Sequence, residues 1–269
     1  MHRETRRYGD RRQPEAFRQA AEHQRPGYEP PARPRAGRLL PAPFRLPAAA
    51  LLAFCVTVTA LLGITFAGQR QAGWLDTAVD TPLKSALERF PALLNVLAEA
   101  GTLIPVTLMT LALVLACVVT RRWPGAVLAA VATPVAVVLS EYVLKPLVGR
   151  TLGGLLSLPS GHATSSFALA GTCALLLLDP PGHRLPGAVR LVLASLALLA
   201  ATAVAIGMVA RGAHYFTDVV AGAAVGTGMV LACALILDRL WPDPRRPGSH
   251  RTGSPRGHWG RATPVRSAQ

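Results

Sequence analysis

The sequence is short of acidic residues, of paired cysteines and of internal repetition, and each shortage narrows its class. It has four cysteines in 269 residues. Cys55, Cys117, Cys173 and Cys233 all lie inside apolar runs with no CxxC spacing. They read as buried small hydrophobes, not as a disulfide framework or a thiolate metal centre. Asp and Glu number 14 against 28 Lys and Arg, a formal net charge of +14. No cleavable signal peptide is expected, because a long polar stretch precedes the first apolar run at Leu46. No repeat of the kind common in transporters is visible.

An excess of positive charge can mark a nucleic-acid binder, but its placement here argues otherwise. Eleven arginines fall in residues 1–45 and six more follow Asp243. Both tails are rich in Pro, Gly and Arg and carry no apolar period, so 1–45 and 239–269 are expected to be disordered. Basic tails flanking an apolar middle are the positive-inside signal of a membrane protein, with attraction to anionic headgroups. No nucleic-acid partner is expected.

Residues 46–238 form the expected membrane domain. Six apolar runs are long enough to span a bilayer. They lie at about Leu46–Ala67, Thr102–Thr120, Ala126–Leu144, Ala163–Leu178, Leu191–Val209 and Val219–Leu237. Between the first two, Leu83, Leu87, Phe90, Leu94 and Leu97 recur at helical spacing with Lys84, Glu88 and Arg89 among them. That pattern predicts an amphipathic helix on the membrane surface. Lys145–Gly161, with two prolines and four glycines, reads as a structured loop. With both basic tails in the cytoplasm, the loops holding Arg121/Arg122 and Arg184/Arg190 fall inside. The Trp74–Ala100, Lys145–Gly161 and Arg211–Asp218 stretches then share the outer face.

Charged groups near a bilayer need a reason. On that outer face they are Glu141, Lys145, Arg150, His162, Arg211, His214 and Asp218. Taken singly, Lys145 or Arg211 could snorkel to headgroups, and Pro159-Ser160-Gly161-His162 could be an ordinary capped helix start. Together they suggest more. A helix N-terminus offers free N–H groups to an anion, and His162 adds a proton donor beside it. His214 and Asp218, four apart, would share a helix face, where the carboxylate can accept the imidazole Nδ1–H and fix its tautomer. Arg211 lies three residues before His214. A metal site would need more His or carboxylate ligands than this face supplies, so neither metal nor other cofactor is expected.

These residues resemble the type 2 phosphatidic acid phosphatase (PAP2) superfamily, which includes bacterial undecaprenyl pyrophosphate phosphatases and acid phosphatases related to vanadium haloperoxidases. That family carries Lys-x6-Arg-Pro, Pro-Ser-Gly-His and Ser-Arg-x5-His-x3-Asp. The second motif is complete at Pro159–His162, and the third ends correctly at His214 and Asp218. The resemblance implies an all-α, six-helix, haloperoxidase-like membrane bundle. It implies that His214 attacks phosphorus, that Asp218 orients it, and that His162 protonates the leaving oxygen. Lys145, Ser160, Gly161 and an arginine would bind the phosphoryl oxygens. Two positions depart from the motifs. Leu152 and Gly153 stand where the first expects Arg-Pro, and Gly207 and Met208 where the third expects Ser-Arg. Arg150 and Arg211 are the arginines expected to substitute.

The expected activity is hydrolysis of a lipid-linked phosphate or pyrophosphate through a phosphohistidine at the outer face of the cell membrane. The substrate and surrounding lipids are the expected partners. Competing expectations are a phosphotransferase with the same intermediate and a silent lipid-binding or transport protein.

Overall fold

In a computed structural model of the chain, residues 39–178 and 185–241 are described. Most of the tails and residues 179–184 lie outside that range. A short 3-10 turn, Ala42–Phe44, leads into α1, Arg45–Thr65. Then come α2 (Trp74–Leu87), α3 (Pro91–Ala100), α4 (Leu103–Val119) and α5 (Trp123–Val138). The chain continues through a π-helical stretch, Leu139–Leu144, into the single turn α6, Lys145–Val148. After a small hairpin follow α7 (Gly161–Leu178), α8 (Gly187–Ala210) and α9 (Phe216–Leu240).

Among the described residues five helical stretches are long and apolar enough to cross a membrane, or six if α3 and α4, bent by 51°, count as one span. The expected surface helix is in fact two. Pro91 starts α3, because proline has no N–H to continue the ladder from α2. The third expected span does not stop at Leu144 but runs on through the π stretch to Val148.

α7 is the central helix, packed against α5, α8 and α9, and α9 also lies along α1. Small residues let the two most important helices touch. A Cβ on Gly222 of α9 would collide with the Ser160 carbonyl, and one on Gly226 with the Thr164 carbonyl. Around this centre Leu128, Ala132, Ala136, Ala168 and Ala234 are wholly buried. The outward faces expose large apolar side chains such as Leu46, Ile64, Leu103 and Leu199, as lipid contact requires. Trp74, Trp123 and Trp241 stand exposed at helix ends, where indole rings favour the membrane interface.

The bundle has two distinct ends. At one, Asp238 near the end of α9 accepts hydrogen bonds from the Leu39 and Leu40 N–H groups at 2.7 and 3.0 Å, and Arg45 lies 3.6 Å from it. Packed chain therefore begins before Leu46, with Leu39 and Leu40 buried on α9. The other end gathers the C-termini of α1, α6 and α8 and the N-termini of α7 and α9. There Gly68 N–H donates to the Val148 carbonyl (2.8 Å) and Ser160 N–H to the Asp218 carbonyl (2.9 Å).

Candidate active site

The site is built around the start of α7. Ser160 is fully buried, and its Oγ accepts the Ala163 N–H at 3.4 Å, the bond of an N-cap serine. Gly161 and half-buried His162 open the helix. The His162 side chain packs on Gly101, between α3 and α4, where a Cβ would sit 2.9 Å from His162 Cδ2. Four charged or titratable groups lie within electrostatic reach of His162: His214, Lys145, Glu141 and Arg211. The fold therefore brings together five of the residues expected at the outer face from a span of more than 70 positions.

Lys145 arrives at the end of the π stretch, with Nζ 2.7 Å from Glu141 Oε2. Arg211 caps α8, after which Gly212 turns with φ +70°. Arg211 is exposed. His214 follows in this turn and is not on a helix; α9 begins two residues later. The expectation of a shared helix face is thus corrected, though the proximity survives. His214 Nδ1 lies 3.7 Å from Asp218 Oδ2. That distance allows charge attraction but no hydrogen bond, and Nδ1 is buried without a hydrogen-bond partner.

Asp218 has other obligations. Its Oδ2 accepts the Tyr215 N–H at 3.0 Å, tying down the turn that carries His214. Its Oδ1 accepts from Arg150 Nη1 at 2.7 Å. Arg150 is completely buried. Nη1 also donates to Thr217 Oγ1 (2.7 Å), and Nη2 donates to Asp76 Oδ2 (2.5 Å) and to the Gln71 carbonyl (3.5 Å). The Phe66 and Tyr215 rings lie 4.1 and 4.3 Å from the guanidinium carbon. Arg150 is therefore a bridge between two carboxylates and is not placed to grip substrate, contrary to expectation. The turn at Gly149, φ +66°, sends the side chain into the bundle, where a buried guanidinium needs paired charge.

The proline that the first motif expects at position 153 is excluded by geometry. Thr151–Leu152 (β1) and Leu155–Leu156 (β2) form an antiparallel hairpin with Thr151 opposite Leu156. Gly153 and Gly154 make its turn with φ +58° and +83°, values closed to proline.

Three contributors were not read from the sequence as site residues. Asp76 and Asp80, on α2, cap the start of α9. Asp76 Oδ1 accepts the Thr217 N–H (2.9 Å) and its hydroxyl (2.8 Å), and Asp80 Oδ1 accepts the Phe216 N–H (3.1 Å). Burial raises the Asp76 carboxyl, but the bonds from Arg150, Thr217 and Gly73 outweigh it and hold the group below its ordinary range. Asp80 is pushed up to about 6, chiefly by burial; the Phe216 N–H opposes this and the Asp76 charge adds to it. The third contributor is Glu141. The four-residue spacing of Asp76 and Asp80 on α2 is in the sequence, but it does not show that they face another helix. Among the described residues no three His, Cys, Asp or Glu are grouped to hold a metal.

Comparison with known proteins follows the same outline. Residues 143–242 match the model of the PAP2 superfamily. This PAP2-like segment covers about a third of the chain. It begins just before Lys145 and takes in Pro159–His162, His214 and Asp218. The fold is also similar to a crystal structure described as the first transmembrane PAP2-type phosphatidylglycerolphosphate phosphatase from Bacillus subtilis. The two are 19% identical, with a TM-score of 0.50, covering 69% of this chain and 93% of that one. No curated protein matches the chain. The PAP2 segment and the helical spans together make this an all-α, multi-pass membrane protein. α1 to α5 lie before the PAP2-like segment, yet α2 supplies Asp76 and Asp80 to it.

Proposed function

We propose that the protein is a membrane lipid phosphatase acting on a phosphomonoester or diphosphate whose tail stays in the bilayer. The observation that carries this reading is the convergence of His162, His214, Lys145 and Arg211 at one end of a helical bundle. The PAP2 segment and the fold of the Bacillus subtilis phosphatase support it.

In this reading His214 attacks phosphorus as the P–O bond to the leaving group breaks, and His162 gives that oxygen a proton. The phosphohistidine is then attacked by water, whose proton His162 takes, and the new P–O bond replaces P–N. Asp218 stabilises the charge that develops on the His214 ring. Lys145, the N–H groups at the start of α7, and Arg211 balance the phosphoryl charge, a task that fixed cations and backbone donors perform well. Ser160 shapes that helix start as its cap. The basic tails place both termini in the cytoplasm and the site at the extracytoplasmic surface.

The test uses full-length protein in detergent, a panel of lipid phosphates led by phosphatidylglycerolphosphate and a polyprenyl diphosphate, and EDTA throughout. Phosphate release is expected to resist EDTA and to vanish in both His214→Ala and His162→Ala. Release that survives His214→Ala, or that requires a divalent ion, refutes the mechanism. Product analysis with an added alcohol detects phosphotransfer. Labelling a cysteine placed at Gly154 from outside intact cells checks the orientation.

A further inference from the structure

Glu141 has no role in the scheme above, yet it lies against two of its parts, Lys145 and the start of α7. It lies in the π-helical stretch Leu139–Leu144, a local departure from α geometry that often marks functional sites. Its Oε2 is 2.7 Å from Lys145 Nζ. Its Oε1 lies against Gly161, so closely that any Cβ there would collide with it, and Lys145 Nζ is 3.9 Å from the same point. One carboxylate thus touches both the lysine and the first residue of α7, where N–H groups have no helical acceptor.

Those are two of the positive elements that a transferring phosphoryl group would use. Resting on the phosphatase reading, we propose that Glu141 is a resident counter-anion of the phosphate cradle, displaced when substrate binds. The physical case is a competition for one place. A carboxylate offers one charge and two oxygens to a lysine and a helix terminus. A phosphomonoester dianion offers more charge and three oxygens, so it wins, but with affinity reduced by the cost of displacing Glu141. A monoanionic phosphodiester lacks that advantage. Glu141 therefore sets a charge threshold for entry and selects terminal phosphates over diesters. The side chain can move away, since it is one-third exposed on a long stem, while Lys145 is 13% exposed. Gly161 gains a reason beyond helix entry: only glycine leaves room for the carboxylate.

A different role for Glu141, holding Lys145 in position for substrate, predicts the opposite response. The two are separated by Glu141→Gln in the full-length protein, with orthovanadate and inorganic phosphate as competitive probes. Displacement predicts inhibition constants for both anions about tenfold lower, and a KM for the lipid phosphate lower by a similar factor. A raised KM with weaker vanadate inhibition overturns it, as does no change. Should Glu141→Gln fail to fold, Glu141→Asp keeps the charge but shortens the reach to Gly161. It is expected to lower the vanadate constant as well, and an unchanged or raised constant there overturns the proposal. The parent reading fails separately: wild-type protein would then neither release phosphate from any lipid nor bind vanadate.

Discussion

The sharpest test of the site's architecture is Arg150→Lys, because the two roles open to this arginine predict different measurements. As a substrate ligand, Arg150 replaced by lysine would keep its charge, and the protein would lose affinity without losing stability. As a bridge it cannot be replaced. The guanidinium holds Asp218 with Nη1 and Asp76 with Nη2 at 2.7 and 2.5 Å, while Thr217 Oγ1 accepts a further bond. An ammonium is a point donor and cannot reach two carboxylates with this fork. It also loses the flat stacking between Phe66 and Tyr215.

The magnitude follows from burial. All three charged side chains of the bridge are fully buried, and stranding one member of such a group costs about 3–5 kcal/mol. Arg150→Met, which leaves two carboxylates without their cation, should reach that cost. Arg150→Lys should lose about half of it, because one ion pair can re-form. For a bundle of this size that is a fall in Tm on the order of 5–10 °C. Buried Cys55 and Cys117 supply the readout, since a thiol-reactive fluorogenic dye reaches them only on unfolding. Activity measured below the transition should show kcat reduced, because Asp218 and the His214 turn shift, with KM nearly unchanged. An unaltered Tm together with a KM raised tenfold or more would refute the bridge and return Arg150 to the substrate.

Three further outcomes are expected. Gly222→Ala drives a methyl into the Ser160 carbonyl, forcing α9 from α7 at a cost of about 1–3 kcal/mol, and kcat should fall at least tenfold as His162 and His214 separate. Gly101→Ala, whose Cβ would meet His162 Cδ2 at 2.9 Å and Val204 Cγ1 at 2.8 Å, should reduce kcat far more than Tm; equal kcat would show that His162 need not sit where Gly101 holds it. Asp80 binds its proton more tightly folded than unfolded, from an ordinary 3.8 up to about 6, so its contribution to stability declines as pH rises from about 4 to 6 and is level above. Asp80→Asn keeps the acceptor for Phe216 N–H and removes that slope, so it should gain on wild type by up to about 3 kcal/mol across that window; a constant difference in Tm would contradict the assignment.

The parts of this site that could be read in the sequence are those whose meaning is local. Pro159–His162 announces a helix start by its own residue types, and Ser160 does cap α7. Arg150 could not be read, because its partner Asp76 is 74 positions away and only the folded bundle makes them neighbours. Asp76 and Asp80 were hidden for a related reason. On an amphipathic helix, charges at four-residue spacing look the same whether they face water or another helix. The π stretch leaves no mark in composition, although it determines where Glu141 and Lys145 point.

The site divides into a rigid part and a movable one, and the division follows its chemistry. Asp218 is fixed by Arg150, by the Tyr215 N–H and, through its carbonyl, by Ser160. The turn carrying His214 and the helix carrying His162 are thereby locked to each other across α7 and α9. In the proposed mechanism a nucleophile and a proton donor need that constancy, since small errors of position at a reacting centre are costly. Glu141 and Arg211 are instead partly or fully open to solvent, and Lys145 is held by Glu141 alone among the described contacts. A grip on phosphate can be made of such groups, because an electrostatic field tolerates displacement better than bond formation does. The same logic accommodates a phosphate-gripping arginine at the exposed position of Arg211, away from the motif's usual place, while Pro159–His162, His214 and Asp218 keep theirs.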